Sequence, residues 1–300
     1  MTISGNVPQH LLVAAKTGFL TAPMPAVKPW EPIAKMLPMD AKSIDLVDLG
    51  ESPMPVESKG RTQKRSFIEK TLQVKPKDFE ITVGLSYTAA RDDQTGTLES
   101  KCRMAGENFP LHISNQAFKA LNDGDATTNF GAGYDGLSFY NAAHIDKGAE
   151  YQTGQDNVSA LALSLDNFET VRVASRKFRN DQGEYAGYNY DLLVVSPELE
   201  RTAAQICNNP HAYDTANREN NPYAGFTRYI VSEQFDSTAW SLVASSMQIK
   251  PILIVMREQP ALQTAWFDPE TIEGGTYYFK FFGSYNFYYG NWRLAHLGNT

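Results

Sequence analysis

Cysteine is almost absent from this chain: Cys102 and Cys207 are the only two in 300 residues, 105 positions apart. Both fall in segments of helical periodicity, so they define neither a disulfide framework nor a thiolate metal site and read as small buried thiols. Histidine is equally thin. His10, His112, His144, His211 and His296 are dispersed, the closest pair 32 positions apart, which excludes a histidine-based metal spacing. Long apolar runs are missing too. Residues 11–15 and 252–256 are far shorter than a bilayer requires, and no basic-then-apolar signal opens the chain, so it reads as soluble, cytoplasmic and without a membrane partner. Positive charge is in deficit, with a net charge of −7, which argues against a protein built to neutralise a phosphate backbone.

What is present is core material: 42% apolar and 12% aromatic residues, enough for one large or two modest domains. One segment runs against the acidic average. Residues 59–77 hold seven basic residues, among them Lys59, Arg61, Lys64 and Arg65, against the single acid Glu69, leaving 20 basic and 33 acidic residues elsewhere.

Along the chain, residues 11–20 predict a short apolar helix. Pro23, Pro25, Pro29, Pro32 and Pro38 then forbid helix interior and central strand, giving an extended arm whose Trp30, Ile33 and Met36 ask for another surface, such as a second subunit. Residues 44–49 read as a strand, and Phe79, Ile81, Val83 and Leu85 alternate at a period of two, so 44–87 predicts one long β-hairpin with a charged tip. Leu98, Cys102, Ala105 and Phe109 share a helix face that Pro110 is expected to end, with a second helix following from Ser114 as N-cap. Phe168, Val171, Ser175 and Phe178 mark a further helix, residues 192–195 a strand, and Ser196-Pro197 another helix start. Strands are predicted at 228–235, 239–244 and 249–256, and an aromatic β-hairpin at 277–289.

Three chemistries can be tested against motifs. Gly131, Gly133 and Gly136 have the G-x-G-x-x-G spacing, but no buried strand precedes them, no helix starts within them, and Glu150 ends no second strand, so a dinucleotide site is rejected. Ser138, His144 and Asp146 suggest a hydrolase, yet the second glycine of a nucleophile elbow is lacking, and His144 reads as a loop imidazole bonded to backbone. Acid pairs such as Glu198 and Glu200 sit at helix starts, where the dipole favours them without catalysis. No catalytic, cofactor or metal site emerges. A proline-rich arm, a charged ribbon and an acidic body describe a chain that works by contacting copies of itself.

The run YDGLSFYNAAH at 134–144 resembles the DG-x-x-x-F/Y-x-x-x-H loop of the Mu-like major head subunit (gpT) family of tailed-phage capsid proteins, as do the blocks at 191–203, 236–242 and 256–260, in the family's order. The resemblance implies an α+β, HK97-like capsid fold: an N-terminal arm at 1–43, an extended loop at 44–88, a spine helix with peripheral domain at 89–149, an axial domain at 150–262, and a return to the peripheral domain at 263–300. It implies a major capsid protein, not an enzyme, that self-assembles into hexameric and pentameric capsomers. These would form an icosahedral head, built in the host cytoplasm, that encloses double-stranded DNA without sequence-specific binding. It further implies a separate scaffolding protein, a portal, and a cement or decoration protein. A cellular nanocompartment shell of the same fold, or an unrelated soluble enzyme, are the alternatives. Trp30 on the arm and Lys59, Arg61, Lys64 and Arg65 at the ribbon tip are the expected contacts between subunits, the four cations meeting an acidic patch of the neighbour. Trp240 and Trp266 are expected in the core.

Overall fold

The computed structural model describes residues 2–3, 7–22, 28–48, 70–92, 96–145, 153–180, 183–211, 220–269 and 274–299. In chain order the strands are β1 (Thr2–Ile3), β2 (Ala34–Pro38), β3 (Ile44–Asp48), β4 (Lys70–Val74), β5 (Lys77–Ser86), β6 (Val158–Ser159), β7 (Leu192–Val195), β8 (Arg228–Val231), β9 (Trp240–Val243), β10 (Ile252–Asp268), β11 (Thr276–Tyr289) and β12 (Ala295–Gly298). The helices are α1 (Gln9–Leu20), α2 (Tyr87–Arg91), α3 (Thr97–Asn122), α4 (Leu165–Arg176) and α5 (Glu200–Asn208).

Two five-stranded sheets share no strand. In the first, β11 pairs antiparallel with both β5 and β10, while β1 and β2 add parallel to the far edge of β10. The second runs β6-β12-β9-β7-β8. A separate two-stranded ribbon, β3-β4, lies against the first sheet through Met39, Val74, Val255 and Tyr288.

Beneath the first sheet α3 runs unbroken for 26 residues with Pro110 inside it, so the expected two helices are one. The buried stripe explains this. Leu98, Cys102, Ala105, Phe109, Ile113, Ala117 and Leu121 succeed one another at intervals of three and four, so packing on either side of Pro110 outweighs the lost N–H bond and the ring's clash with the preceding turn. Ser114 is therefore mid-helix and caps nothing. Helix α1 crosses α3 at two glycines: a Cβ on Gly106 would lie 2.7 Å from the Phe19 carbonyl oxygen and 2.7 Å from Ala22 Cβ, and one on Gly18 would strike the Glu99 backbone.

Three other expectations change. Residues 277–289 form one strand, β11, whose hairpin partner is β10; Gly283 makes no turn, and its missing side chain admits Pro260 from β10, 3.0 Å from where a Cβ would stand. The return strand of the ribbon is β4, not the 79–85 segment, which belongs to β5 in the first sheet. Pro76 interrupts the ladder, and the Tyr288 hydroxyl accepts from Lys75 N–H (2.7 Å) and donates to the Lys75 carbonyl (2.8 Å), fixing the chain where it changes sheets. Finally, the expected division at 262 falls inside β10, and the 263–300 segment splits: β11 stays in the first sheet while β12 joins the second.

Helix α4 carries three of its four expected face residues and ends at Arg176, so Phe178 packs from the segment that follows it. Ser164 Oγ accepts from Asn167 N–H at 3.2 Å, and Phe168, Val171 and Ser175 are buried. Both thiols are buried, and burial raises them, Cys102 to about 12 and Cys207 to about 11. On β12, burial lowers His296 to about 4, its Nε2 lying 2.9 Å from Ser159 Oγ.

Two predictions follow from this packing. Gly106→Ala should destabilise the chain by about 1–3 kcal/mol through overpacking at the α1–α3 crossing, read as a lowered denaturant midpoint. Because the unfolded His296 binds a proton near 6.5 and the folded one only near 4, stability falls as pH drops through this window. The loss should be about 2 kcal/mol between about pH 7.5 and about pH 5. His296→Gln should lack this loss, so that the stability difference between wild type and variant, read from denaturant midpoints, shifts by about 2 kcal/mol across the same window.

Candidate functional site

The loop of residues 131–144 carries the motif-like glycines. Gly131 and Gly136 adopt φ of +86° and +83°, the left-handed region that other residues avoid. The loop closes on itself: Gly133 N–H donates to Leu137 O at 2.8 Å, Gly136 N–H to Gly133 O at 3.0 Å, and Leu137 N–H to Asp135 Oδ1 at 3.1 Å. Among the described residues the next regular element is the short strand β6, and no described helix opens on this loop to offer a phosphate its N–H groups.

What the turn positions is a buried polar node. His144, 1% exposed, places Nδ1 2.5 Å from Asp135 Oδ2, and its Nε2 faces Phe139 O at 3.2 Å and Asn157 Oδ1 at 3.1 Å. Asn157 is itself fixed: Nδ2 donates to the carbonyls of Phe139 (2.8 Å), Trp292 (3.1 Å) and Ala295 (3.3 Å), while Oδ1 accepts from Asn141 N–H (2.9 Å). With only acceptors before it, Nε2 is the donor, and Nδ1 is held by the Asp135 carboxyl group. The imidazole stacks on Trp292 at 4.2 Å and 6°, and the Arg293 guanidinium lies 4.4 Å from the centre of the same indole. Sequence reasoning expected the backbone bond of His144 and missed Asp135 and Asn157; the Asp-Gly and His of the quoted motif were the available signal.

The adjacent aromatics extend the node outward. Phe139 stacks on Tyr289 of β11 at 4.6 Å, and the Tyr289 hydroxyl donates to Ala120 O of α3 at 3.0 Å. Tyr140 packs against Gly124, and its hydroxyl lies 3.2 Å from Ser241 Oγ of β9. One loop thus grips α3, the first sheet and the second sheet.

This arrangement does not perform hydrolysis. Ser138 Oγ donates to Tyr140 O at 2.9 Å and accepts from Asn141 Nδ2 at 3.2 Å, with no bond to His144, and the Asp135–His144 pair is sealed from substrate. Asp146 and Glu150 lie outside the described residues. Among the described residues no three His, Cys, Asp or Glu side chains come together as metal ligands, and no helix is long and apolar enough to cross a membrane.

The residues expected to contact neighbouring subunits are not brought together with the node. Lys59, Arg61, Lys64 and Arg65 lie outside the described residues. Trp30 is 7% exposed, folded into the core of its own chain, with the Lys28 ammonium 5.6 Å from the ring centre. Of the other tryptophans, Trp240 is fully buried and donates from Nε1 to Leu161 O at 2.8 Å, while Trp266 is half-buried, stacked on Tyr278 at 5.2 Å.

Comparison with known proteins agrees with a structural role. No curated protein matches the chain. Among solved structures, the capsid of bacteriophage JBD30 decorated with minor capsid protein trimers superposes with a TM-score of 0.56 at 17% identity, over 78% of this chain and 100% of that one. The JBD30 procapsid gives 0.54 at 20% identity, over 98% and 76%, and the capsid of an empty GTA particle 0.56 at 10% identity, over 97% and 99%. These likenesses establish the HK97-like capsid fold. A family model described as phage capsid protein matches residues 69–292, most of the chain and the Asp135, His144 and Asn157 side chains of the node, and the chain accordingly belongs to the phage capsid protein family, as a structural subunit of the virion shell and not an enzyme.

Proposed function

We propose that copies of this chain associate into hexameric and pentameric capsomers, which close into the icosahedral head of a tailed phage and enclose double-stranded DNA without reading its sequence. Within the family, the motif blocks around 134–144, 191–203, 236–242 and 256–260 favour the Mu-like major head subunit branch. The observation that carries the reading is the family match over 69–292 on a chain whose conspicuous buried polar cluster is sealed and structural. In this reading the second sheet with α4 and α5 is the axial unit, the first sheet with α3 the peripheral unit, and β3-β4 the base of the extended loop.

Capsomers are rings of heterologous contacts, in which one surface of a subunit meets a different surface of the next. Each interface can be modest, since standard ones bury about 1,600 Å² in total and a subunit held at several gains avidity. Modest contacts also allow misplaced subunits to leave before closure. Lys59, Arg61, Lys64 and Arg65 supply orientation by meeting an acidic patch of the adjacent copy. Trp30 acts indirectly, by anchoring the arm to its own chain. A separate scaffolding chain, a portal and a cement or decoration protein complete the assembly.

Electron microscopy of the purified full chain tests this reading: it predicts large closed particles whose contents are nucleic acid, whereas a small soluble oligomer overturns it and protein cargo favours a nanocompartment. Reversing the charge of Lys59, Arg61, Lys64 and Arg65 together should slow assembly followed by light scattering; normal particles at normal yield contradict the contact. Because His144→Ala leaves Asp135 buried without its partner, it should cost about 3–5 kcal/mol in chemical unfolding and abolish particles, while Ser138→Ala should leave particle yield unchanged.

A further inference from the structure

Helix α4 borders a cleft that packing within the chain leaves open. With Phe168, Val171 and Ser175 turned inward, Val173 points out, 44% exposed, beside Arg172 and Arg176. Across from them the loop after Asn221 presents Tyr223 and Phe226, the latter 72% exposed. Together these side chains enclose a hollow of about 300 Å³.

The charges in this cleft are under-satisfied. Arg172 Nη2 (3.4 Å) and Arg176 Nη2 (3.2 Å) converge on a single neutral acceptor, Asn189 Oδ1, and neither guanidinium forms an ion pair among the described residues. Arg172 also lies 5.1 Å from the Tyr223 ring centre, which holds its planar fork in place. Glu169 of the same helix reaches Tyr223 at the edge of the cleft and, with Asp166, lines an adjoining hollow, but forms an ion pair with neither arginine among the described residues. A guanidinium fork is suited to a carboxylate, and an exposed aromatic beside arginine and tyrosine is the composition of an interface hot spot.

Charge identifies the occupant. The chain carries a net charge of −7, so a second copy is rich in the carboxylates that two unpaired guanidiniums require. A free anion would satisfy the arginines but leave Val173 and Phe226 in water, whereas a carboxylate next to an apolar side chain covers both. We propose that Arg172, Arg176 and Phe226 form a docking cleft for an acidic, apolar-flanked segment of the neighbouring copy in the shell, an inference that rests on the capsomer reading above.

The test uses the full chain with benzoylphenylalanine in place of Phe226, irradiated after assembly. The expected result is a covalent dimer of this chain whose cross-linked peptide contains Asp or Glu. Particles that assemble but give no interchain adduct overturn the proposal while leaving the capsomer reading intact, as does an adduct to a different virion protein; failure of the wild-type chain to assemble overturns both. In parallel, Arg172→Glu with Arg176→Glu should cut particle yield roughly tenfold or more with an unchanged thermal midpoint. Normal yield from that variant also counts against the cleft.

Discussion

The fold depends on one buried contact between charged and neutral donors and acceptors: Asp135, His144 and Asn157 closing on the carbonyls of Phe139, Trp292 and Ala295. The two sheets share no strand, so no backbone ladder sets their relation. A purely apolar seam would permit sliding, because hydrophobic contact is not directional. A hydrogen-bonded node tolerates one register only, since every displaced group would be left buried and unsatisfied. Phe139 and Tyr140 then carry that register to β11 and β9.

A shell subunit has particular need of such a constraint. Small errors in the angle between its two halves would accumulate over a closed surface built from many copies. Fixing the interior with a polar node, and α1 on α3 at Gly18 and Gly106, leaves the periphery to the β3-β4 ribbon clamped by Tyr288 and the open cleft beside α4. The net charge of −7 makes each exposed cation a point of preference for a neighbouring copy.

Much of this was legible in the sequence where local signals agreed. Strand β7 coincides with its apolar run, and the Phe168, Val171 and Ser175 face marks α4, although the helix ends at Arg176, before the expected Phe178. Errors arose where tertiary packing overrode a local rule. Pro110 is a helix breaker by its own chemistry, yet the stripe from Leu98 to Leu121 continues through it. Aromatic density at 277–289 suggested a hairpin, but the partner strand lies earlier in the chain, and strand β12, between β6 and β9 in the second sheet, carried too short a pattern to assign. The node was half legible: the spacing of Asp135 and His144 is visible as a motif, whereas Asn157 enters it only because the chain after the loop returns beneath Trp292. Hydrogen-bond geometry of this kind has no periodicity for a sequence to display.

The central claim is a rigid interior joined at the node and a periphery completed by neighbours. Hydrogen–deuterium exchange on the free subunit and on assembled particles addresses it most directly. The account predicts that the amides of residues 139–144 and of β7 and β9 are protected equally in both states, while those of β3, β4 and the loop bearing Phe226 gain protection only in particles. Slow exchange at β3 and β4 in the free subunit, with protection at 139–144 appearing only on assembly, would contradict it.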